Sequence, residues 1–177
     1  MPVIIPDRFW EAEIATHKNL EIKSLLLDYL QNYKQYCNQG QAPALFGSPG
    51  IGKSYGAAAL IKKLPIQSLW VPVVQKFNYL IDLRDFRKEN YFSSKHQLFE
   101  TQFLVMDDFG QLRDFARIRE LFFEVVDYRY SWKLPTMFTA NFVSSDPKDL
   151  EMEISKCFNS SLARRILTMG EGMIYCG

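Results

Sequence analysis

Short apolar runs alternate with longer stretches in which apolar residues recur every three or four positions. From Asn19 to Tyr36, Leu20, Leu26, Leu27, Leu30 and Tyr33 fall near helical spacing, which predicts an amphipathic helix ending around Asn38-Gln39-Gly40. The apolar run Ala42 to Phe46 then reads as a buried strand, and Ser54 to Lys63 as a helix closed off by Pro65. Ser68 to Val74 predicts a second strand, followed by a helical stretch from Lys76 to Lys88. Phe103 to Met106 predicts a third strand and Arg117 to Arg129 an amphipathic helix. Thr136 to Ala140 predicts a fourth strand after the break at Leu134-Pro135. Leu162 to Met169 reads as helix and Met173 to Cys176 as a last strand. Residues 1–18, marked by Pro2 and Pro6, read as an extended lead-in to one domain over 19–177. Buried strands alternating with helices predict an α/β fold, a five-stranded parallel sheet with helices on both faces.

Composition adds bounds. A chain of 177 residues favours one domain, and a 47% hydrophobic fraction with 14 Phe and 9 Tyr suffices for a packed core. A formal charge of +1 sets up no overall field toward nucleic acid or acidic membranes, so any nucleic-acid contact needs a local patch. Cys37, Cys157 and Cys176 lie far apart, off metal-ligand spacing, and read as reduced thiols. No apolar run has the length of a membrane span and the start lacks a signal-peptide core, so a cytoplasmic protein is expected.

One motif carries specific chemistry. Gly47-Ser48-Pro49-Gly50-Ile51-Gly52-Lys53-Ser54 meets the phosphate-loop pattern G-x-x-x-x-G-K-[ST] in full, with a strand before it and a helix after. Glycines let backbone N–H groups close on phosphate oxygens, and the helix that follows offers its unpaired N–H groups and positive dipole end. Lys53 is expected to reach the β- and γ-phosphates of ATP, and Ser54 to ligate Mg²⁺.

Some fifty residues on, the apolar run Phe103 to Met106 ends in Asp107-Asp108, a Walker B pattern. Side chains alternate along a strand, so the two acids divide their work. Asp107 is the candidate for orienting Mg²⁺ and Asp108 for polarising the attacking water. Asn141 ends the next strand, where it can hydrogen-bond that water or the γ-phosphate. Ligands of open parallel sheets bind beyond the carboxyl ends of the strands, and all three groups are expected there.

These motifs, in this order, resemble the AAA+ helicase-loader family of DnaC and DnaI, with its IstB-type transposition helpers. The likeness covers nearly the whole chain. Ile5-Pro6-Asp7-Arg8-Phe9 is similar to the family's linker, and Asp107-Asp108-Phe109-Gly110 to its D-[DE]-[LI]-G. The stretch from Phe122 to Asn141 resembles its I-x-x-R-Y…K-x-P-T…[ST]-N segment, with Asn141 at the sensor 1 position. Ser161 to Gly170 resembles R-x-x-S-R-L-x-x-x-G, but Ser161 replaces the first arginine. The resemblance therefore leaves Arg164 or Arg165 as the residue reaching a neighbour's γ-phosphate. Twelve residues follow Arg165, too few for the C-terminal helical lid that loaders often lack.

The resemblance implies an ATPase acting in DNA replication, a loader of a replicative helicase, weak alone and active as a homo-oligomer. It also implies single-stranded DNA near Lys76, Phe77, Tyr79, Arg84, Arg87, Lys88, Tyr91, Phe92 and Lys95. Cations and aromatics suit that ligand, although Asp82, Asp85, Glu89 and Glu100 interleave with them. The alternatives are a transposition helper of the IstB type and a nucleotide-gated interaction module with little hydrolysis. A small-molecule kinase would need an acceptor pocket and lid that the sequence does not reveal. No N-K-x-D motif favours guanine.

Overall fold

The computed structural model describes residues 4–86, 88–114, 116–144 and 146–177. Five parallel strands, β1 (Ala44–Phe46), β2 (Ser68–Pro72), β3 (Phe103–Asp107), β4 (Thr136–Ala140) and β5 (Ile174–Cys176), form one sheet in the order β2-β3-β4-β1-β5. Among the described residues, seven helices flank them: α1 (Leu20–Gln39), α2 (Lys53–Lys63), α3 (Val73–Asp85), α4 (Asn90–Glu100), α5 (Ala116–Ser131), α6 (Pro147–Cys157) and α7 (Ser160–Met169).

Strand alternation divides the core in two. Leu45, Phe103, Val105 and Met137 face α1 and α2, where Ile22, Leu26, Tyr29 and the run Ala57 to Ile61 pack on them. Phe46, Leu104, Met106, Phe138 and Ala140 face the other way, onto Phe77, Phe109, Phe122 and Ile166. Every residue of β1, β3 and β4 is buried, as a parallel sheet covered on both sides requires.

Beyond shifts of two or three residues at element ends, such as β1 starting at Ala44 and α3 ending at Asp85, the sequence pattern and the structure differ in four places. The second strand stops at Pro72, and Val73 and Val74 open α3 instead. Proline brings no N–H to a strand and suits the position before a helix. Two helices, α4 and α6, have no counterpart in the pattern. Leu98 is the one fully covered residue of α4, so it shows almost no apolar stripe. The lead-in, expected to be extended, instead winds through short 3-10 turns at Asp7–Phe9 and Ile14–Thr16. It packs Ile5, Ala12 and Ile14 into the α1–α2 face of the core.

One buried cation ties the loops on the amino side of the sheet. Arg129 is fully buried near the end of α5 and donates to the carbonyls of Leu98 (3.2 Å), Phe99 (3.1 Å), Thr101 (2.9 Å) and Pro135 (2.9 Å). Its Nε donates to Thr136 Oγ1 at 2.7 Å. The planar fork thus satisfies the last carbonyls of α4 and holds them to the start of β4. Burial pushes its pKa down to about 9. Replacing it with an apolar chain of similar length removes the Arg129 donor from the Leu98, Phe99 and Thr101 carbonyls and leaves Pro135 only the Leu104 N–H. Arg129→Met should lower unfolding free energy by about 3 kcal/mol in urea titrations; a change under about 0.5 kcal/mol would remove the clamp from this account.

Candidate functional site

The loop from Gly47 to Gly52 leaves β1 and turns into α2. Gly47 and Gly52 both adopt positive φ, 138° and 97°, where other residues are strained. Space forbids side chains at both as well. A Cβ on Gly47 would lie 1.9 Å from the Gly177 carbonyl oxygen, and one on Gly52 2.7 Å from His17 Nε2.

Lys53, the first residue of α2, is buried and folds back over the loop. Its Nζ donates to the carbonyls of Gly47 at 2.7 Å and Ser48 at 2.8 Å. Burial lowers its pKa, and the nearby charges of Asp108 and Asp107 partly restore it. The ammonium is therefore a half-desolvated charge held by two loop carbonyls, a fit for an anion seated in the loop.

Alternation along the strands decides what meets Ser54. Asp107 follows Phe103 and Val105 in β3, and Thr139 follows Met137 in β4, so both point to the α2 face. Ser54 Oγ and Thr139 Oγ1 each donate to Asp107 Oδ1 at 2.7 Å. Burial raises the Asp107 pKa, opposed by those two hydrogen bonds; Asp108 raises it slightly further and Arg8 lowers it. A hydroxyl and one carboxylate are hard oxygen ligands of the kind Mg²⁺ uses when phosphate oxygens complete its shell. The residues present fit both ATP and Mg²⁺.

Asp108 lies just past the strand at φ 57°. Its N–H donates to Thr139 Oγ1 at 2.9 Å, and its carboxylate accepts from Asn141 Nδ2 at 3.5 Å and from Gln111 Nε2. Asp108, Gln111 and Asn141 line a cavity of about 370 Å³ that continues toward Glu153 and Lys156 of α6. The structure thus brings together the phosphate loop, Lys53, Ser54, Asp107, Asp108 and Asn141 beyond the carboxyl ends of β1, β3 and β4. Thr139 and Gln111 join them without having been picked out by sequence. The parity of Thr139 with Met137 in β4 was the available signal.

The paired arginines sit elsewhere. Arg165 is held by Asp127 (Nη2 to Oδ1, 2.7 Å) and Ser161 Oγ, beside the rings of Phe123 and Tyr130. Arg164 is largely exposed, and among the described residues its ion pair is with Glu151 of α6 at 3.7 Å. The surface considered for single-stranded DNA is divided too. Tyr79 and Phe92 are exposed, as is Phe86, which was not among the residues expected there, but Phe77 belongs to the core, Lys95 pairs with Glu124 at 2.8 Å and Arg84 with Asp85. Arg87 lies outside the described residues. No helix among them is long and apolar enough to cross a membrane.

The chain is similar to the replicative helicase loader DnaI of Bacillus subtilis (strain 168), with 25% identity over 142 residues. That match covers 79% of this chain, which spans only 45% of the length of DnaI. Among solved structures, the DnaC helicase loader superposes with a TM-score of 0.84 at 23% identity, over 96% of this chain and 99% of that one. A DnaI structure superposes with a TM-score of 0.71 at 23% identity, over 95% and 93%. No family model matches the chain.

The raised pKa of Asp107 has a signed consequence. The folded protein holds this proton to higher pH than the unfolded chain does. The contribution of Asp107 therefore favours folding at low pH and is lost as pH rises through the raised value. Asp107→Asn keeps an oxygen for the two hydroxyls and removes the buried charge. At pH 7 it should be more stable than the parent by on the order of 1 kcal/mol, with the gap closing toward pH 4. Thermal melts at both pH values measure this; a lower melting point for the variant at pH 7 contradicts it.

Proposed function

We propose that this chain, which groups with the DnaC/DnaI-type AAA+ helicase loaders in fold and in sequence, binds ATP with Mg²⁺ and acts in DNA replication by loading a replicative helicase. One observation carries the nucleotide half of the reading. Ser54 and Thr139 converge on a single buried oxygen of Asp107, directly after a glycine cradle whose lysine is already desolvated.

In this reading the N–H groups at the start of α2 hold the phosphates, and Lys53 leaves the Gly47 and Ser48 carbonyls for the β- and γ-phosphates. Ser54 and Asp107 hold Mg²⁺, which when bound neutralises charge building on the phosphate oxygens. Thr139 keeps the Asp107 carboxylate turned toward Ser54. Asp108 accepts a proton from the attacking water, and Asn141 orients that water from the neighbouring strand tip. Gln111 competes for Asp108 through its side-chain amide, which must move aside for the water to approach.

The arginine role falls to Arg164. Arg165 already has a carboxylate, a hydroxyl and two aromatic faces around it, so freeing it costs several contacts. Arg164 gives up one long, exposed ion pair, which contributes little. It can reach a neighbour's γ-phosphate once several copies assemble, which makes turnover weak in the isolated chain. The helicase partner rests on the likeness to the loaders, and a single-stranded DNA contact rests on that likeness and on exposed Tyr79, Phe86 and Phe92. The bonds that hold Arg165 also favour a second reading, a nucleotide-gated interaction module with little hydrolysis.

Two measurements test these assignments. Lys53→Ala should abolish binding of a fluorescent ATP analogue; affinity within about threefold of the parent would end the phosphate-loop assignment. Arg164→Ala should leave binding unchanged and cut turnover at high protein concentration by about a hundredfold or more. Parent turnover that stays flat with concentration, with or without single-stranded DNA, favours the gated module.

A further inference from the structure

His17 is a buried titratable side chain that the proposed nucleotide chemistry does not use. At the end of the lead-in, it is 4% exposed and lies against the first turn of α2. Its Nε2 is 3.0 Å from the Gly52 carbonyl oxygen. A carbonyl only accepts, so Nε2 carries the hydrogen. On the other side of the ring, Nδ1 lies 3.0 Å from the Asn19 carbonyl oxygen and 3.2 Å from the Asn19 nitrogen. The Gly52 contact needs a hydrogen on Nε2 whichever Asn19 group Nδ1 engages.

The Gly52 carbonyl belongs to the same peptide unit as the Lys53 N–H. No peptide here is cis, so the two groups point in opposite directions. The carbonyl also accepts the Gly56 N–H at 2.8 Å, which turns it along α2 toward the C-terminal end. The Lys53 N–H is therefore turned out of the start of the helix, into the glycine cradle. Gly52 stands at φ 97° with no side chain of its own to fix the peptide that follows it.

We propose that His17 is a positioning residue for phosphate binding: its Nε2–H anchors the Gly52 carbonyl and so keeps the Lys53 N–H aimed at the phosphates. A donor on the carbonyl also polarises the peptide and strengthens its N–H as a donor. The anchor is itself fixed. Ile5, Ala12 and Ile14 are buried against α1 and α2, the Tyr55 hydroxyl accepts the Glu13 N–H at 3.2 Å, and Lys62 donates to the Ala12 carbonyl at 3.0 Å. The lead-in thereby becomes part of the phosphate site. The inference rests on the ATP-binding reading for its consequence, but not for the anchor.

The test compares His17→Phe, which keeps a ring but has no donor, with His17→Gln, whose amide keeps one. In the nucleotide-free 177-residue chain, nitrogen NMR should show a hydrogen on His17 Nε2 in the parent. His17→Phe should displace the Lys53 amide nitrogen resonance, and His17→Gln should bring it back toward the parent. Affinity for a fluorescent ATP analogue should fall about tenfold in His17→Phe, equal to about 1.4 kcal/mol, and recover to within about threefold in His17→Gln. An unmoved Lys53 resonance in His17→Phe, or equal loss in both variants, overturns the proposal, since a residue that merely fills space would not distinguish a donor from its absence. If the parent binds no nucleotide, the phosphate-loop assignment falls, while the Lys53 resonance still decides the role of His17.

Discussion

A carboxylate buried at the tip of β3 constrains everything around it. Asp107 loses hydration there, and a charge in that position persists only where hydrogen bonds replace the lost water. Two hydroxyls supply them, one from α2 and one from β4. The three elements are thereby held in one register at the place where the phosphate loop turns into its helix. Asp108 depends on the same arrangement, because Thr139 Oγ1 accepts its N–H while donating to Asp107. One threonine hydroxyl thus aligns both acids, and the left-handed backbone at Asp108 carries the second carboxylate toward Asn141.

The contrast among the buried or half-buried cations follows the same logic. Arg129 lies in the protein interior with no carboxylate among the described residues bonded to it, and five hydrogen bonds to neutral oxygens take the place of water. Such a group is structural, since moving it would take a donor from a set of carbonyls. Lys53 is held by two carbonyls of a loop and faces two carboxylates at longer range. Its hydrogen bonds are few and its desolvation is incomplete, so an incoming anion can exchange with them. The number of neutral oxygens around each cation separates a clamp from a charge poised for a ligand.

How much of this is legible in sequence depends on the kind of signal. The phosphate loop and the acidic strand end are local patterns, and β4 is legible to the residue because Pro135 marks its start and Asn141 its end. The Ser54–Asp107–Thr139 cluster is half legible: strand parity assigns Asp107 and Thr139 to one face, but only the sheet order shows that β3 and β4 are neighbours. Helix α6 carries an unread start signal in Asp146-Pro147, where the Asp146 side chain accepts the Lys148 N–H at 2.8 Å. Helix α4 has no such signal, for its single buried Leu98 sets up no period. The roles open to Arg164 and Arg165 are not legible at all, because both are arginines on one helix and only their partners differ.

The lead-in shows why spacing arguments stop short of such contacts. Its prolines and mixed polarity give no periodic signal, and a segment of that composition reads as extended chain. Its structure comes instead from surfaces that other elements offer: the apolar face of α1 and α2 for Ile5, Ala12 and Ile14, and the space above Gly52 and Gly56 for the His17 ring. A glycine at Gly52 is needed twice over, for its positive φ and for room to admit that ring. The phosphate loop and the lead-in therefore constrain one another, so the composition of the loop carries, at one position, a record of a residue 35 places away.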